Sequence, residues 1–141
     1  MRKNSTDNGI APIIGITIAA LALVFTAIVM FSGKIDITFK QTELYADSSM
    51  VSGINIKYED ITNVTYRDDF DIGKKVKGLD SMRLHAGDFL NQEFGKYKLY
   101  SYNSTKSFVI VEYKDGYLAF NLQSDQATQE AYETLLNKIN K

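Results

Sequence analysis

The sequence predicts a mainly-β domain, about seven strands in a curved sheet or barrel capped by a C-terminal α-helix, carried behind an N-terminal transmembrane helix. Three observations predict it. An uncharged apolar run extends from Ile10 to Phe31, apolar and polar residues alternate repeatedly between Ile35 and Leu122, and the period becomes helical over Ala127–Ile139. The chain divides accordingly into a short tail (1–9), a transmembrane helix (10–31) and one folded domain (34–141).

The apolar run is 22 residues long. At about 1.5 Å per helical residue it just exceeds a hydrocarbon core about 30 Å thick. A secretory signal is the competing reading, since Ala20-Leu21-Ala22 has the small-x-small form of a cleavage site. Cleavage there would leave the greasy stub Leu23–Phe31, and bulky Val29-Met30-Phe31 occupies the natural end of the run, so a retained anchor is expected. Pro12 falls in the opening turn, where its missing N–H is tolerated. Arg2 and Lys3 on one flank, against Lys34 and Lys40 on the other, favour a cytoplasmic N-terminus and an extracytoplasmic domain at the cell membrane. Gly15 and Ala19 have small-xxx-small spacing, a common feature of membrane helices.

About 108 residues remain after the anchor, enough for one core and too few for two. There is no cysteine, which removes disulfides, thiolate metal sites and cysteine nucleophiles together. From Lys34 onward 14 basic residues stand against 16 acidic ones. A domain near −2 offers no basic field for nucleic acid.

The elements follow in order. Ile35, Ile37 and Phe39 alternate with polar residues as a half-buried strand; Leu44–Ala46 is a short second strand, Asp47-Ser48-Ser49 a turn, and Ile54, Ile56 and Tyr58 mark a third. Ile61–Arg67 carries the β-branched and aromatic residues of a strand. Asp68–Ser81, charged and interrupted by Gly73 and Gly78, reads as a long loop. Alternation then resumes, with Met82, Leu84 and Ala86 inward and Arg83, His85 and Gly87 outward, before a turn at 91–95. Tyr97–Tyr102 and Phe108–Tyr113 are two more strands, and Asp115-Gly116 predicts a type I′ hairpin into Tyr117–Leu122. Ala127, Ala131, Tyr132, Leu135, Leu136 and Ile139 form one apolar stripe on the final helix, N-capped by Ser124 or Asp125.

Several of these stretches match a known pattern. Tyr58-Glu59-Asp60-Ile61 leading into Val64-Thr65-Tyr66-Arg67, Gly73 and Gly78 in the loop, Arg83-Leu84-His85-Ala86-Gly87-Asp88-Phe89, and Phe94-Gly95-Lys96-Tyr97-Lys98-Leu99-Tyr100-Ser101-Tyr102 resemble the bacterial membrane-anchored members of the pleckstrin-homology-like superfamily. The resemblance covers nearly everything after the anchor and implies a small β domain closed by a helix. That fold hosts lipid, peptide and protein binding alike, so it implies a binding role without naming the ligand. Eukaryotic relatives that grip phosphoinositides carry a Lys and then Lys/Arg-x-Arg around the first hairpin. Here Phe39–Asp47 offers Lys40 opposed by Glu43 and Asp47, and inositol-phosphate binding is not carried over.

Candidate chemistry is sparse. His85 is the only histidine, and its place in the alternation points it away from the core, so a solvated side chain is expected in preference to a general base. No G-x-S-x-G, P-loop or H-E-x-x-H motif is present, and no catalytic residue, cofactor or metal is assigned. Asp69, Asp71 and Asp80 have a partial calcium-loop spacing, but Gly73 is misplaced and Lys74 and Lys75 occupy the ligand region.

Six residues are candidate binding positions. Lys74, Lys75 and Lys77, with Arg83, form the basic concentration of the domain and could contact anionic lipid. Tyr100 and Tyr102 share one strand face, opposite Tyr97 and Leu99; exposed tyrosines would make rigid contacts to a partner, and ordinary cross-strand pairing is the equal alternative. The leading expectation is a single-pass, membrane-anchored binding or assembly module without catalytic activity, holding a protein or envelope partner at the membrane surface. The alternatives are a lipid-headgroup contact through the 68–81 loop and, behind it, an enzyme built around His85.

Overall fold

The computed structural model describes residues 10–141, so the tail 1–9, with the Arg2 and Lys3 used to read orientation, lies outside the described residues. Two compact units result, the N-terminal helix and a domain over Gly33–Lys141.

Helix α1 (Ile10–Phe31) matches the uncharged run and is long and apolar enough to cross a membrane. Its large apolar side chains are exposed along the helix, Ile16 at 70% and Leu23 at 72%. A helix apolar on every side is unstable in water and stable in hydrocarbon. Its two hydroxyls are satisfied internally, Thr17 donating to the Ile13 carbonyl and Thr26 to that of Ala22, each at 2.8 Å.

The domain holds nine strands and one helix. Strands β1 (Ile35–Phe39), β2 (Glu43–Ser48) and β3 (Val51–Lys57) form an antiparallel sheet in that order. A short helical turn at Tyr58–Asp60 leads into β4 (Ile61–Arg67). The remaining strands, β5 (Lys74–Asp80), β6 (Leu84–Asn91), β7 (Gly95–Tyr102), β8 (Phe108–Tyr113) and β9 (Gly116–Phe120), join β4 in a six-stranded sheet ordered β4-β8-β9-β7-β6-β5. Helix α2 (Asp125–Ile139) packs on β4 and β8.

One pairing is not reachable by hairpins alone. β9 runs parallel to β7, with Leu99 opposite Ala119, because the 103–107 connection skips one strand position and β9 then fills the gap. Buried Asn121 fixes that crossing: its Oδ1 accepts from Tyr102 N–H at 2.6 Å, and its Nδ2 donates to the Tyr102 and Thr105 carbonyls, each at 3.2 Å. Asp125 holds the other end, accepting from the Ser107 hydroxyl at 2.6 Å and its N–H at 3.1 Å, which draws its carboxyl below the usual range.

The six-stranded sheet is covered on both faces. On the inner face Leu84, Ala86, Tyr100, Tyr102, Val109, Val111, Leu118 and Phe120 pack against Ile35, Leu44, Ala46 and Ile56 of the smaller sheet and against Ala131 and Leu135 of α2. On the outer face Phe89, Tyr97, Leu99, Phe108, Ile110 and Ala119 form a second cluster. Its cover is the 68–73 connection between β4 and β5, which are opposite edges of the sheet. Five interstrand gaps span about 24 Å. A connection of this length reaches at most about 25 Å, so it must run extended across the face. Phe70 seats there with ring centroids 5.5 Å from Phe94, 5.7 Å from Tyr97 and 5.1 Å from Phe108. Tyr97 donates its hydroxyl to the Ile72 carbonyl at 2.7 Å, and Arg67 meets Glu93 at 2.6 Å.

Four expectations are corrected. There are nine strands, and β5 lies inside the stretch 68–81 read as a loop. Met82 is 65% exposed in the β5–β6 turn, because the strand begins only at Leu84. The β8–β9 hairpin forms, but Tyr113 pairs with Gly116, so Lys114 and Asp115 occupy the turn. Among the described residues no non-glycine has positive φ, and the turn is therefore not type I′. On α2, Ser124 is the N-cap and accepts from Ala127 N–H, while Thr128 takes the buried first position of the stripe in place of Ala127.

Candidate functional site

β5 is an edge strand, hydrogen-bonded to β6 alone, and every residue from Lys74 to Gly78 is exposed. Its register places Lys75 opposite Phe89, a member of the outer aromatic cluster, and Lys77 opposite Asp88. Because side chains paired across an antiparallel ladder share a face, Lys75 stands on the outer face and Lys77 on the inner one. Lys74, opposite Leu90, shares the inner face with Lys77. A register shift between Lys75 and Lys77 inserts Val76, which is 52% exposed.

Of the four acidic residues that flank these lysines in sequence, Asp69, Asp71 and Asp80 are engaged elsewhere. Asp69 pairs with Arg67 at 3.2 Å, Asp71 accepts from Gly73 N–H at 2.9 Å, and Asp80 lies 2.8 Å from His85. Among the described residues no ion pair involves Lys74, Lys75 or Lys77, whereas Lys34, Lys40, Lys57, Lys96, Lys98 and Lys114 all have one. The same arrangement separates Asp69, Asp71 and Asp80, and no group of metal-ligating side chains occurs among the described residues.

Beside β5, on the inner face, a cleft of about 340 Å³ opens between the β2–β3 turn and the β5–β6 ladder. Met50 and Val51 line one wall; Lys77, Gly78 and Gly87 line the other. Lys98 also reaches it, but its ammonium is taken up by Asp88 at 2.6 Å. The floor depends on two facing glycines. Gly78 and Gly87 are partners in the ladder, both at φ +125°, and a Cβ on either would stand 2.1 Å from the Ala86 carbonyl oxygen or 2.3 Å from that of Lys77.

Arg83 lies in the turn at the far end of β5, its guanidinium carbon 5.8 Å from the Tyr102 ring centroid. Tyr100 and Tyr102 do not belong to the surface, and their reading as partner contacts is corrected. Both are buried, because the face they share is the one that meets the smaller sheet. Tyr100 donates its hydroxyl to the Ser52 carbonyl at 2.7 Å.

His85 also differs from expectation. Its side chain is 17% exposed, with Nδ1 against Asp80 and the ring 5.8 Å from Phe89, edge to face. The Nδ1 contact has the distance of an ion pair without the alignment of a hydrogen bond. Asp80, His85 and Ser101 are successive cross-strand neighbours on β5, β6 and β7, in the order of a Ser/His/Asp row. Ser101 is fully buried, and its hydroxyl has no hydrogen-bond partner. A nucleophile needs both its base and access to substrate, and Ser101 has neither.

Sequence reading missed the β5 strand, the glycine pair and the strap over the outer face. The signal for the strap was present, since Phe70 and Ile72 alternate within the acidic stretch as residues of an extended segment do. The chain matches no protein-family model, no curated protein and no solved structure.

Proposed function

We propose that this protein is a single-pass membrane-anchored binding or assembly module without catalytic activity, whose β domain has a pleckstrin-homology-like character and presents itself to a protein partner. The observation that carries the anchoring is α1, an uncharged apolar helix long enough to cross a membrane. Only Ser32, Gly33 and Lys34 separate it from β1, so a retained helix keeps the domain close to lipid headgroups. A mainly-β body ended by an amphipathic helix packed on a sheet supports the pleckstrin-homology-like reading. The absence of access to Ser101 supports a non-catalytic role.

A protein partner is preferred to a lipid headgroup because the free lysines stand on both faces of a sheet edge, and a planar bilayer surface would engage only one of them. The test is alkaline carbonate extraction of membranes carrying the full chain, with intact mass and protease shaving of whole cells. Retention in the pellet at the full-length mass supports the anchor, and digestion of the C-terminal domain places it outside the cell. Release into the supernatant, or a mass lacking residues 1–22, overturns it.

A further inference from the structure

The free edge of β5 has the features of a docking strand, and we propose that it binds an extended acidic segment of a partner protein by adding it as a seventh strand to the six-stranded sheet. This deepens the binding-module reading and rests on it. An edge strand leaves alternate backbone N–H and C=O groups without partners, a template that an extended chain satisfies with regular hydrogen bonds. β5 is such an edge, exposed from Lys74 to Gly78, with a bulge at Val76 about which the added strand pairs on either side.

Charge selects the occupant. Lys74 and Lys77 flank the edge on the inner face and Lys75 on the outer, none in an ion pair among the described residues. An added strand also directs its side chains alternately to the two faces, about 5 Å from those of its neighbour, so carboxylates on either face meet a lysine. Lysines on a sheet edge repel casual pairing with neutral or basic strands. The same lysines admit an acidic one. A second copy of this chain is a poor occupant, because β5 paired antiparallel about its own centre sets Lys77 against Lys77. The inner cleft beside the edge has its apolar wall at Met50 and Val51, opposite Lys77 and the Asp88–Lys98 pair, and that wall receives an apolar side chain from the added strand.

The test uses the full chain in nanodiscs of zwitterionic phosphatidylcholine. A fluorescein-labelled peptide, Thr-Glu-Val-Glu-Glu-Val-Glu, is titrated by anisotropy, beside the same peptide N-methylated at every backbone amide, which keeps every charge and removes the backbone donors. Saturable binding is expected, weakened at least about tenfold by Lys75→Glu with Lys77→Glu and to a similar degree by N-methylation, with slowed amide exchange in β5. Equal binding of both peptides, no saturable binding, or slowing elsewhere in the domain overturns the proposal. So does slowed β5 exchange in phosphatidylglycerol nanodiscs with none from peptide, which would assign the lysines to lipid. Anchoring is read separately by carbonate extraction, so failure of the strand site and failure of the membrane reading give different results.

Discussion

The buried backbone N–H of Ile35 donates to the hydroxyl oxygen of Tyr102 at 2.9 Å, joining the first strand of the small sheet to the middle of the large one. Two residues earlier on β7, Tyr100 makes the matching connection to Ser52 of β3. Both outer strands of the three-stranded sheet are thus tied to β7 by tyrosines whose rings also fill the core. These two side chains hold the sheets together and leave no ring surface for a partner.

Tyr102→Phe is expected to keep the packing and lose the acceptor. The Ile35 N–H is then buried without a partner, which costs about 1–3 kcal/mol. Urea denaturation of the full chain in detergent should show the loss as a lower midpoint with an unchanged slope, and an unchanged midpoint would contradict the tie.

Alkaline pH acts on the same core. Burial, with smaller contributions from Asp47 and Asp88, pushes the Tyr100 hydroxyl from its ordinary value of 10 up to about 12. Tyr97 is raised as well, by burial and by Asp71. Each is a neutral acid whose proton the folded state retains, so the stabilisation is complete below pH 10 and drains away as pH rises toward 12. A two-unit shift corresponds to about 2–3 kcal/mol. Denaturation measured across this interval should fall steeply, and Tyr100→Phe should flatten the fall.

Much of the fold is legible in the residues. Ile35, Ile37 and Phe39 and the stripe through Ala131 and Leu135 are marked by periodicity, because each buries one face, whereas Tyr97–Tyr102 is buried on both faces and is marked by its aromatic content. β5 escapes that test for a physical reason: Lys74–Gly78 bury neither face, so no alternation is imposed on them. Tyr100 and Tyr102 are on one face as expected, but which face turns inward depends on the smaller sheet, a contact between residues about fifty apart in the chain. The parallel β7–β9 pair is set by Asn121, whose role is invisible until the 103–107 crossing exists.

The glycine pair makes β5 sensitive at one point. In Gly87→Ala the new Cβ meets the Lys77 carbonyl oxygen at 2.3 Å, on backbone already at φ +125°. Neither the oxygen nor the torsion can yield cheaply, so β5 must part from β6, at a cost of about 2 kcal/mol or more. Amide exchange across Lys74–Asp80 should accelerate while β8 and β9 keep their protection.

The strap over the outer face is held by one ring. Phe70→Ala removes stacking on Phe94 and edge contacts to Tyr97 and Phe108 from a half-buried position. A loss of about 2 kcal/mol is expected, less than for a fully buried phenylalanine. Limited proteolysis should find new cleavage within 68–73. If cleavage is unchanged, Arg67–Glu93 and Tyr97–Ile72 hold the segment without the ring.

Ser101 separates the structural and catalytic accounts of the row it shares with His85 and Asp80. Its hydroxyl is buried and has no protein partner among the described residues, so it lowers stability where it stands. Ser101→Ala removes that cost and leaves a methyl group between β6 and β9, and the variant should be as stable as the parent or up to about 1 kcal/mol more so. A serine nucleophile would instead form an adduct with a fluorophosphonate probe, drawing on His85 as base and Asp80 as its orienting carboxylate. The buried Oγ is expected to stay unmodified in intact-mass spectra, while a single adduct absent from Ser101→Ala would overturn the non-catalytic reading.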